Sequence, residues 1–200
     1  MKRLASIGVF AGALLATSQA FAAPETHDGF YLELGLGLGY LSTTAEAGPF
    51  ETTLSGMTIP SHLLLGGTPV PGLVIGGGVM TDYSFSPSGE TSGGQTVTLN
   101  DVSLYLVGIG AFVNYYLKPE GGLHIQLFGG FGALEATQNG NAGGSDPVGL
   151  IIAPGVGYDF FIGSEWSFGV LGRFAYAPLK LNETSYNTIA PALLATLTFH

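Results

Sequence analysis

Residues 29–42 alternate between apolar side chains and positions that carry glycine or a polar group. Successive side chains of a β-strand point to opposite faces, so this pattern predicts a strand with one apolar face and one nearly bare face. The apolar face carries Phe30, Leu32, Leu34, Leu36, Leu38 and Tyr40, and the other carries Tyr31, Glu33, Gly35, Gly37 and Gly39.

The same two-residue period recurs along the rest of the chain, interrupted by Gly, Pro, Asn, Ser and acidic residues. After the N-terminus, no segment carries the run of about 20 apolar residues that a membrane-spanning helix needs. The pattern therefore predicts an all-β chain with strands at 29–42, 57–67, 72–84, 100–117, 122–135, 148–161, 165–177 and 187–199.

The connections between these strands alternate in length. Three are tight turns, at 68–71, 118–121 and 162–165, and four are longer and polar, at 43–56, 85–99, 136–147 and 178–186. An even number of strands, with short turns at one end and long loops at the other, is typical of a bacterial outer-membrane barrel. The fold class expected is an eight-stranded antiparallel transmembrane up-and-down β-barrel, with the short turns and both termini in the periplasm.

The two faces of the predicted strands have the polarity of a membrane barrel. A soluble barrel of the lipocalin kind is apolar inside and polar outside, the reverse of this pattern. Closure is favoured because lipid offers no hydrogen-bond partners to an open sheet edge. The predicted outward set includes Leu73, Ile75, Val79, Leu123, Ile125, Leu127, Phe131, Leu150, Ile152, Val156, Tyr158, Phe168, Val170 and Phe174, and the inward set includes Val74, Gly76, Gly78, His124, Gln126, Phe128, Gly130, Gly155, Gly157, Ser167 and Gly169.

Aromatic residues near the predicted strand ends indicate two girdles at the membrane interfaces. The ten residues from Phe30 to Tyr40 span about 25 Å at about 3.3 Å per residue and a tilt near 40°, which is the height of the apolar band. The periplasmic girdle is Phe30, Tyr115, Phe160, Trp166 and Phe199, and the outer girdle is Tyr40, Tyr83, Tyr105 and Tyr176.

The first 22 residues have the features of a signal peptide. Lys2 and Arg3 precede an apolar core at 4–16, and residues 20–22 read Ala-Phe-Ala, a small-x-small cleavage site. An N-terminal membrane anchor is the alternative, but the apolar run is short and the cleavage site follows it directly. The expected organisation is a signal peptide at 1–22, a short segment at 23–28 and a barrel at 29–200.

Composition narrows the classes of function. The chain is 46% hydrophobic and 10% charged, with 33 glycines and no cysteine. That composition is too apolar for an ordinary soluble domain, and it excludes disulfides and a lipoprotein anchor. Outside the signal peptide the basic residues are Lys118, Arg173 and Lys180 against 14 acidic residues, so nucleic acid is not an expected partner. Isolated histidines without cysteine give no metal cluster, and no cofactor is expected.

Several stretches resemble the small eight-stranded outer-membrane barrel families of Gram-negative bacteria, the OmpA-like, OmpX-like and OmpW-like proteins. They are GFYLELGLGLGY, LLLGGTPVPGLVIGGG, GVGYDFFIGSEWSFGVLGRFAY and LLATLTF, within residues 28–200. The resemblance implies a monomer in the outer membrane, among outer-membrane lipids and lipopolysaccharide. It also implies that the barrel assembly machinery reads the last strand, which ends in Phe199, although His200 departs from the pattern by following it.

The ionisable residues predicted to face the lumen are Glu33, Asp82, Asp159, Arg173 and His124. Arg173 is the one base among them, and the hypothesis is that it pairs with Glu33 or Asp159 and gates a thin water path. The alternative is a static ion pair that neutralises a buried charge. The inward glycines lack the Lys-Ser/Thr of a phosphate-binding loop, so a steric role is expected for them.

Catalysis is disfavoured by the placement of the histidines, which are His27, His62, His124 and His200. Some barrels of this size resemble enzymes that act on lipid A through a surface His and Ser. Only His62 has an adjacent serine, Ser61, and neighbours on a strand point to opposite faces.

The leading expectation is a non-enzymatic protein with a structural or surface-interaction role through its long loops. The alternative is a narrow channel or transporter for small or hydrophobic molecules, because Leu104, Leu106, Phe112 and Leu134 are predicted to line an apolar entrance as in the OmpW-like group. A lipid A-modifying enzyme is third. Two alternatives are expected for the acidic residues of the predicted loops: they bind divalent cations, or they are solvated surface charges. These residues are Glu46, Glu51, Glu90, Asp146 and Glu183.

Overall fold

A computed structural model of the chain describes residues 27, 29–48, 50–91, 96–98, 102–138, 141–142 and 146–200. The expected signal peptide at 1–22 and the segment 23–28 apart from His27 lie outside these ranges. Within them the chain forms eight long strands, and no helix there has the length and apolarity to cross a membrane. The long strands are β1 (Gly29–Ala47), β2 (Phe50–Val70), β3 (Leu73–Phe85), β6 (Val102–Tyr116), β7 (Leu123–Gln138), β9 (Val148–Phe161), β10 (Trp166–Leu181) and β11 (Thr184–Phe199), and the short strands are β4 (Ser88–Thr91), β5 (Thr96–Thr98) and β8 (Asn141–Ala142).

The long strands close into a barrel. Each is antiparallel to its neighbours, in the order β1, β11, β10, β9, β7, β6, β3, β2, and β2 pairs again with β1. The closing seam runs from Leu32 paired with Phe199 to Glu46 paired with Ser185. The predicted fold class, an eight-stranded antiparallel transmembrane barrel, is confirmed.

Two of the four predicted long loops are wrong. The segments 43–56 and 178–186 continue the strands on either side, with Ala47 paired to Phe50 and Leu181 paired to Thr184. Their polar residues misled the prediction because a strand that has left the membrane carries polar groups on its outward face. Asn182 has φ 54°, the left-handed conformation that a two-residue hairpin turn requires and that Asn tolerates.

The remaining connections also carry structure. The predicted turn at 68–71 is displaced to Pro71 and Gly72, since β2 runs to Val70 and pairs there with Leu73. Proline presets the first corner of this turn, and Gly72 takes the second with φ 81°. The predicted loop 85–99 contains the hairpin of β4 and β5, and β8 pairs with the outer end of β7 within 136–147.

The side chains sort between the two faces as the alternation predicts. Large apolar residues are exposed on the outside of every long strand, where they meet lipid; Leu36, Ile109, Phe131, Leu150 and Leu193 are each more than 60% exposed. The inward face is buried and forms the core. The extracellular half of this core, called here the upper lumen, is apolar and includes Leu41, Leu104, Leu106, Leu134, Ile151 and Leu179. The periplasmic half, called the lower lumen, is rich in polar groups.

Aromatic side chains lie on the outward face near both ends of the barrel. At the periplasmic end Trp166 packs edge-on against Phe199 at 5.2 Å, and Phe30 lies 6.3 Å from Phe199 on the other side. At the outer end Tyr83 meets Tyr105 at 6.2 Å. Beyond the outer tyrosines the outward residues become polar, as with Ser42, Thr44 and Glu46 on β1, Asn187 and Ser185 on β11, and Lys180 on β10.

Inward glycines make room for large neighbours, as expected for so small a barrel. A Cβ on Gly35 would lie 2.4 Å from the His62 ring, and one on Gly157 would lie equally close to His124. Gly110 and Gly130 face each other across β6 and β7, where a Cβ on either would come within 2.2 Å of a carbonyl oxygen of the paired strand. Their role is steric, with no phosphate-loop geometry.

Replacing Gly110 with valine is expected to lower the free energy of unfolding by about 1–3 kcal/mol, because the new side chain must push the β6–β7 backbones apart. Urea unfolding from lipid vesicles measures this, with folding followed by heat-dependent gel mobility. Gly129→Val is the matched control, since Gly129 faces lipid with nothing within 4 Å of its Cβ position. Equal stability of the two variants would contradict the steric role.

Candidate functional site

The lumen of the barrel is the site at which the unusual chemistry of this chain collects. Polar side chains form four groups: a cross-lumen ion pair, two carboxylate networks on its periplasmic side, and a histidine cluster at the periplasmic end. A small cup opens at the extracellular mouth. Among the described residues, no three His, Asp or Glu side chains converge as metal ligands.

The ion pair joins Arg173 to Asp82. Nη2 of Arg173 lies 2.7 Å from Oδ2 of Asp82, and both side chains are almost completely buried. Their strands, β10 and β3, stand on opposite walls of the barrel, with three strands between them on either side. The hypothesis that Arg173 pairs with Glu33 or Asp159 is therefore wrong. The strand register places Asp82 opposite Arg173 across the lumen. Glu33 and Asp159 instead accept hydrogen bonds from Gln126 and Tyr116.

Glu33 sits at the centre of the first carboxylate network. Its Oε1 accepts from Gln126 Nε2 at 3.0 Å and lies 2.8 Å from His62 Nε2, and its Oε2 accepts from the Tyr31 hydroxyl. Asn114 in turn donates to the Tyr31 oxygen at 3.0 Å. Four strands supply these groups, so a carboxylate buried far from water is fully hydrogen-bonded and locks the walls together.

Asp159 forms a second, similar group. The Tyr116 hydroxyl donates to its Oδ2 at 2.7 Å, across the intervening strand β7. His124 Nδ1 is 3.6 Å from the same oxygen, and this ring hydrogen-bonds instead to the carbonyl of Gly122 at 3.1 Å. Each buried acid of the lower lumen therefore combines a tyrosine hydroxyl with a nearby histidine.

A chain of hydrogen bonds, termed here the histidine clasp, joins Ser167, His200, His27 and the Gly121 carbonyl. The contacts are 2.9 Å from Ser167 Oγ to His200 Nε2, 2.9 Å between the two Nδ1 atoms, and 3.2 Å from His27 Nε2 to the carbonyl oxygen. The His27 ring also stacks on Tyr116 at 3.5 Å. A carbonyl only accepts, so neutral His27 holds its proton on Nε2 and accepts at Nδ1 from His200, which accepts from Ser167.

Both clasp histidines are kept neutral by burial. His27 precedes β1 and His200 follows β11, so they lie outside the spanning strands. The pKa of His27 is lowered from 6.5 to about 4, chiefly by desolvation; the hydrogen bond to the Gly121 carbonyl opposes this shift, and nearby His124 contributes to it. Desolvation also lowers the pKa of His200 to about 3, with His27 adding to the effect. A second proton on the clasp would set two Nδ1–H groups against each other.

The clasp was missed by sequence reasoning. His27 and His200 are 173 residues apart, and Ser167 is 33 residues from His200. Only barrel closure brings these residues together, so no spacing in the sequence indicates the cluster. The sequence predicted that Ser61 and His62 point to opposite faces of their strand. In the structure the Ser61 hydroxyl forms a hydrogen bond with the Thr81 hydroxyl at 2.7 Å.

The cup at the extracellular mouth has a volume of about 250 Å³. Leu104 and Leu134 form its floor, Leu54 and Leu181 lie on its walls, and Asp146 lies at its rim. Leu106 and Phe112 are buried deeper in the lumen. The four apolar residues predicted to line an entrance all point inward, and two of them line the cup.

Outer-membrane proteins are among the solved structures to which this chain is similar. Neisserial surface protein A (NspA) is 14% identical, with a TM-score of 0.55 over 86% of this chain and 96% of that chain. The outer membrane protein OprG from Pseudomonas aeruginosa is 9% identical, with a TM-score of 0.52 over 90% of this chain and 100% of that chain. The outer membrane protease OmpT from Escherichia coli, at 7% identity and a TM-score of 0.45, covers 88% and 99% but carries no argument about activity.

No family model matches the chain, and no curated protein matches it. The fold and its apolar belt nevertheless define the class: an integral β-barrel of the small Gram-negative outer-membrane type. The expected location in the outer membrane is confirmed with the fold.

Replacing Asp82 with leucine is expected to lower the free energy of unfolding by about 3–5 kcal/mol, because Arg173 is left charged and unpaired in the lumen. The double variant Asp82→Leu with Arg173→Met should recover most of that loss, since no charge remains buried. Urea unfolding from vesicles measures both. A double variant no more stable than the single one would contradict the ion pair as the cause.

Acidification is expected to open the histidine clasp. The folded pKa values of His27 and His200 lie below 6.5, so the unfolded state binds more protons and stability falls as pH drops from about 6.5 toward 4. The stabilisation is fully present above that window.

Hydrogen exchange at the Gly72 amide, which donates to the His27 carbonyl at 3.2 Å, reports the opening directly. His27→Phe keeps an aromatic ring against Tyr116 but removes one of the two titrating rings. The protection factor of the Gly72 amide, taken against its intrinsic exchange rate at each pH, should therefore fall less steeply on acidification in this variant. An unchanged dependence would place the titrating group elsewhere.

Proposed function

We propose that this protein is a non-enzymatic, non-conducting outer-membrane barrel that acts through surface interactions at its extracellular end. The observation that carries the proposal is the filled lumen. Arg173 with Asp82 and Gln126 with Glu33 cross the barrel between distant strands. Leu104, Leu106, Leu134 and other buried apolar side chains fill the section above them.

The extracellular end offers the surface for such interactions. β1 with β2 and β10 with β11 extend past the outer tyrosines as paired hairpins, so they are held by the barrel wall. Recognition surfaces are commonly carried in this way, as exposed segments on a rigid scaffold. Acidic side chains predominate there, at Glu46, Glu51, Glu90, Asp146 and Glu183, whereas Lys180 is the base at that end among the described residues.

A hydrolytic role receives no support from the Ser167–His200–His27 chain, although its order resembles that of a nucleophile, a base and an orienting group. Ser167 and His27 are completely buried, so a substrate does not reach the hydroxyl. Ser167 also donates to the His200 ring, and burial lowers the pKa of that ring, which makes it a weak base for activating a hydroxyl. The arrangement fits a structural clasp better than a catalytic triad.

A second candidate is transport of small hydrophobic molecules, which the apolar cup favours. Its floor at Leu104 and Leu134 rests on further buried side chains, so passage would require the upper lumen to rearrange. The cup therefore supports entry of an apolar solute more directly than its transit.

Three measurements separate these functions. In planar bilayers the wild type is expected to give no conductance above that of a protein-free membrane, with a porin as the positive control. Naphthalene uptake into proteoliposomes should equal that into plain liposomes. Uptake that is faster, and is blocked by Ala136→Trp in the cup but not by Ala111→Trp on the lipid face, would favour transport. Unchanged lipid A masses in cells with and without the protein are expected for a non-enzyme.

A further inference from the structure

A groove of about 670 Å³ crosses the lipid-facing side of the barrel over six neighbouring strands, β2, β1, β11, β10, β9 and β7. Gly172 forms its floor, since its neighbours in the sheet are Val156 on one side and Leu193 on the other. Nothing but a carbonyl oxygen 3.7 Å away approaches the Cβ position of Gly172, so the space above it is open. Tyr40, Met57, Phe174 and Pro191 are among the walls.

The groove lies on the same outward column of β10 as a single basic residue. Outward positions of this strand run Gly172, Phe174, Tyr176, Pro178 and Lys180. Eight residues separate Gly172 from Lys180, which is about 26 Å along the strand and about 20 Å along the membrane normal. With Lys180 in the outer headgroup layer, the floor of the groove lies near the bilayer midplane, because half the hydrocarbon core is about 15 Å thick.

The other described basic residues cannot serve the outer leaflet. Lys118 belongs to a periplasmic turn, and Arg173 is buried in the lumen. Lys180 is exposed, and its neighbours across the sheet on this face are Ser185 and Val148. The ammonium group at the outer interface and the floor of the apolar groove near the midplane thus lie about one acyl-chain length apart.

We propose that this groove binds one acyl chain of lipopolysaccharide, with a phosphate of the lipid A headgroup at Lys180. The groove walls are apolar and face the hydrocarbon of the bilayer, so a lipid acyl chain is the molecule that occupies the groove. The headgroup must be anionic because the residue above the groove is a lysine, and it belongs to the outer leaflet because Lys180 lies at the end with the projecting hairpins. This inference is independent of the proposed surface role.

The test is native mass spectrometry of the protein titrated with lipid A in detergent. The wild type is expected to retain one lipid A. Gly172→Leu should weaken binding about tenfold, by excluding roughly two methylenes from the groove. The matched control is Gly129→Leu, which adds the same side chain to an open lipid-facing glycine outside the groove and should bind like the wild type.

Lys180→Gln tests the headgroup contact and should weaken lipid A binding about twofold to fivefold, the scale of an exposed ion pair. Lys118→Gln in the periplasmic turn is its control. Dephosphorylated lipid A should bind wild type and Lys180→Gln alike. Heat-dependent gel mobility confirms that each variant is folded.

The proposal is overturned if Gly172→Leu binds lipid A as tightly as Gly129→Leu does. It is equally overturned if removing the phosphates leaves wild-type binding unchanged. Equal retention of phosphatidylglycerol would reject lipopolysaccharide as the occupant.

Discussion

The pairing of β1 with β11 is the interaction on which the rest of this structure depends. A membrane offers no hydrogen-bond partners to a free sheet edge, so the first and last long strands must meet. That seam, from Leu32 opposite Phe199 to Glu46 opposite Ser185, fixes the barrel at eight strands. It also brings the residues that flank the first and last strands into one layer at the periplasmic mouth, where His27 and His200 lie in contact.

Closure at eight strands leaves a lumen just wide enough for side chains. Glycines at Gly35 and Gly157 provide the volume that the rings of His62 and His124 occupy. The acids that face inward survive because partners surround them, as Tyr31, Gln126 and His62 surround Glu33. The same contacts therefore fill the lumen and compensate the buried charges, and they connect strands on different sides of the barrel.

The outside of the barrel is specialised by height. Apolar residues cover the hydrocarbon belt, tyrosines such as Tyr83 and Tyr105 mark its outer edge, and polar residues follow beyond them. The strands do not stop at that edge but continue as hairpins, so the extracellular surface is built from the same ladder as the wall. The proposed surface role accordingly belongs to the hairpins, and the proposed lipid site belongs to the lipid face.

The sequence by itself determined the strands, their faces and the class of membrane protein, because a two-residue period and its polarity are local properties of the chain. It identified Glu33, Asp82, Asp159 and Arg173 as inward without telling which would meet. The choice of Asp82 for Arg173 was decided by tertiary structure, since register and barrel curvature set which residues face each other across the lumen. The same holds for Ser167, His200 and His27, which are distant in sequence and become neighbours only when the barrel closes.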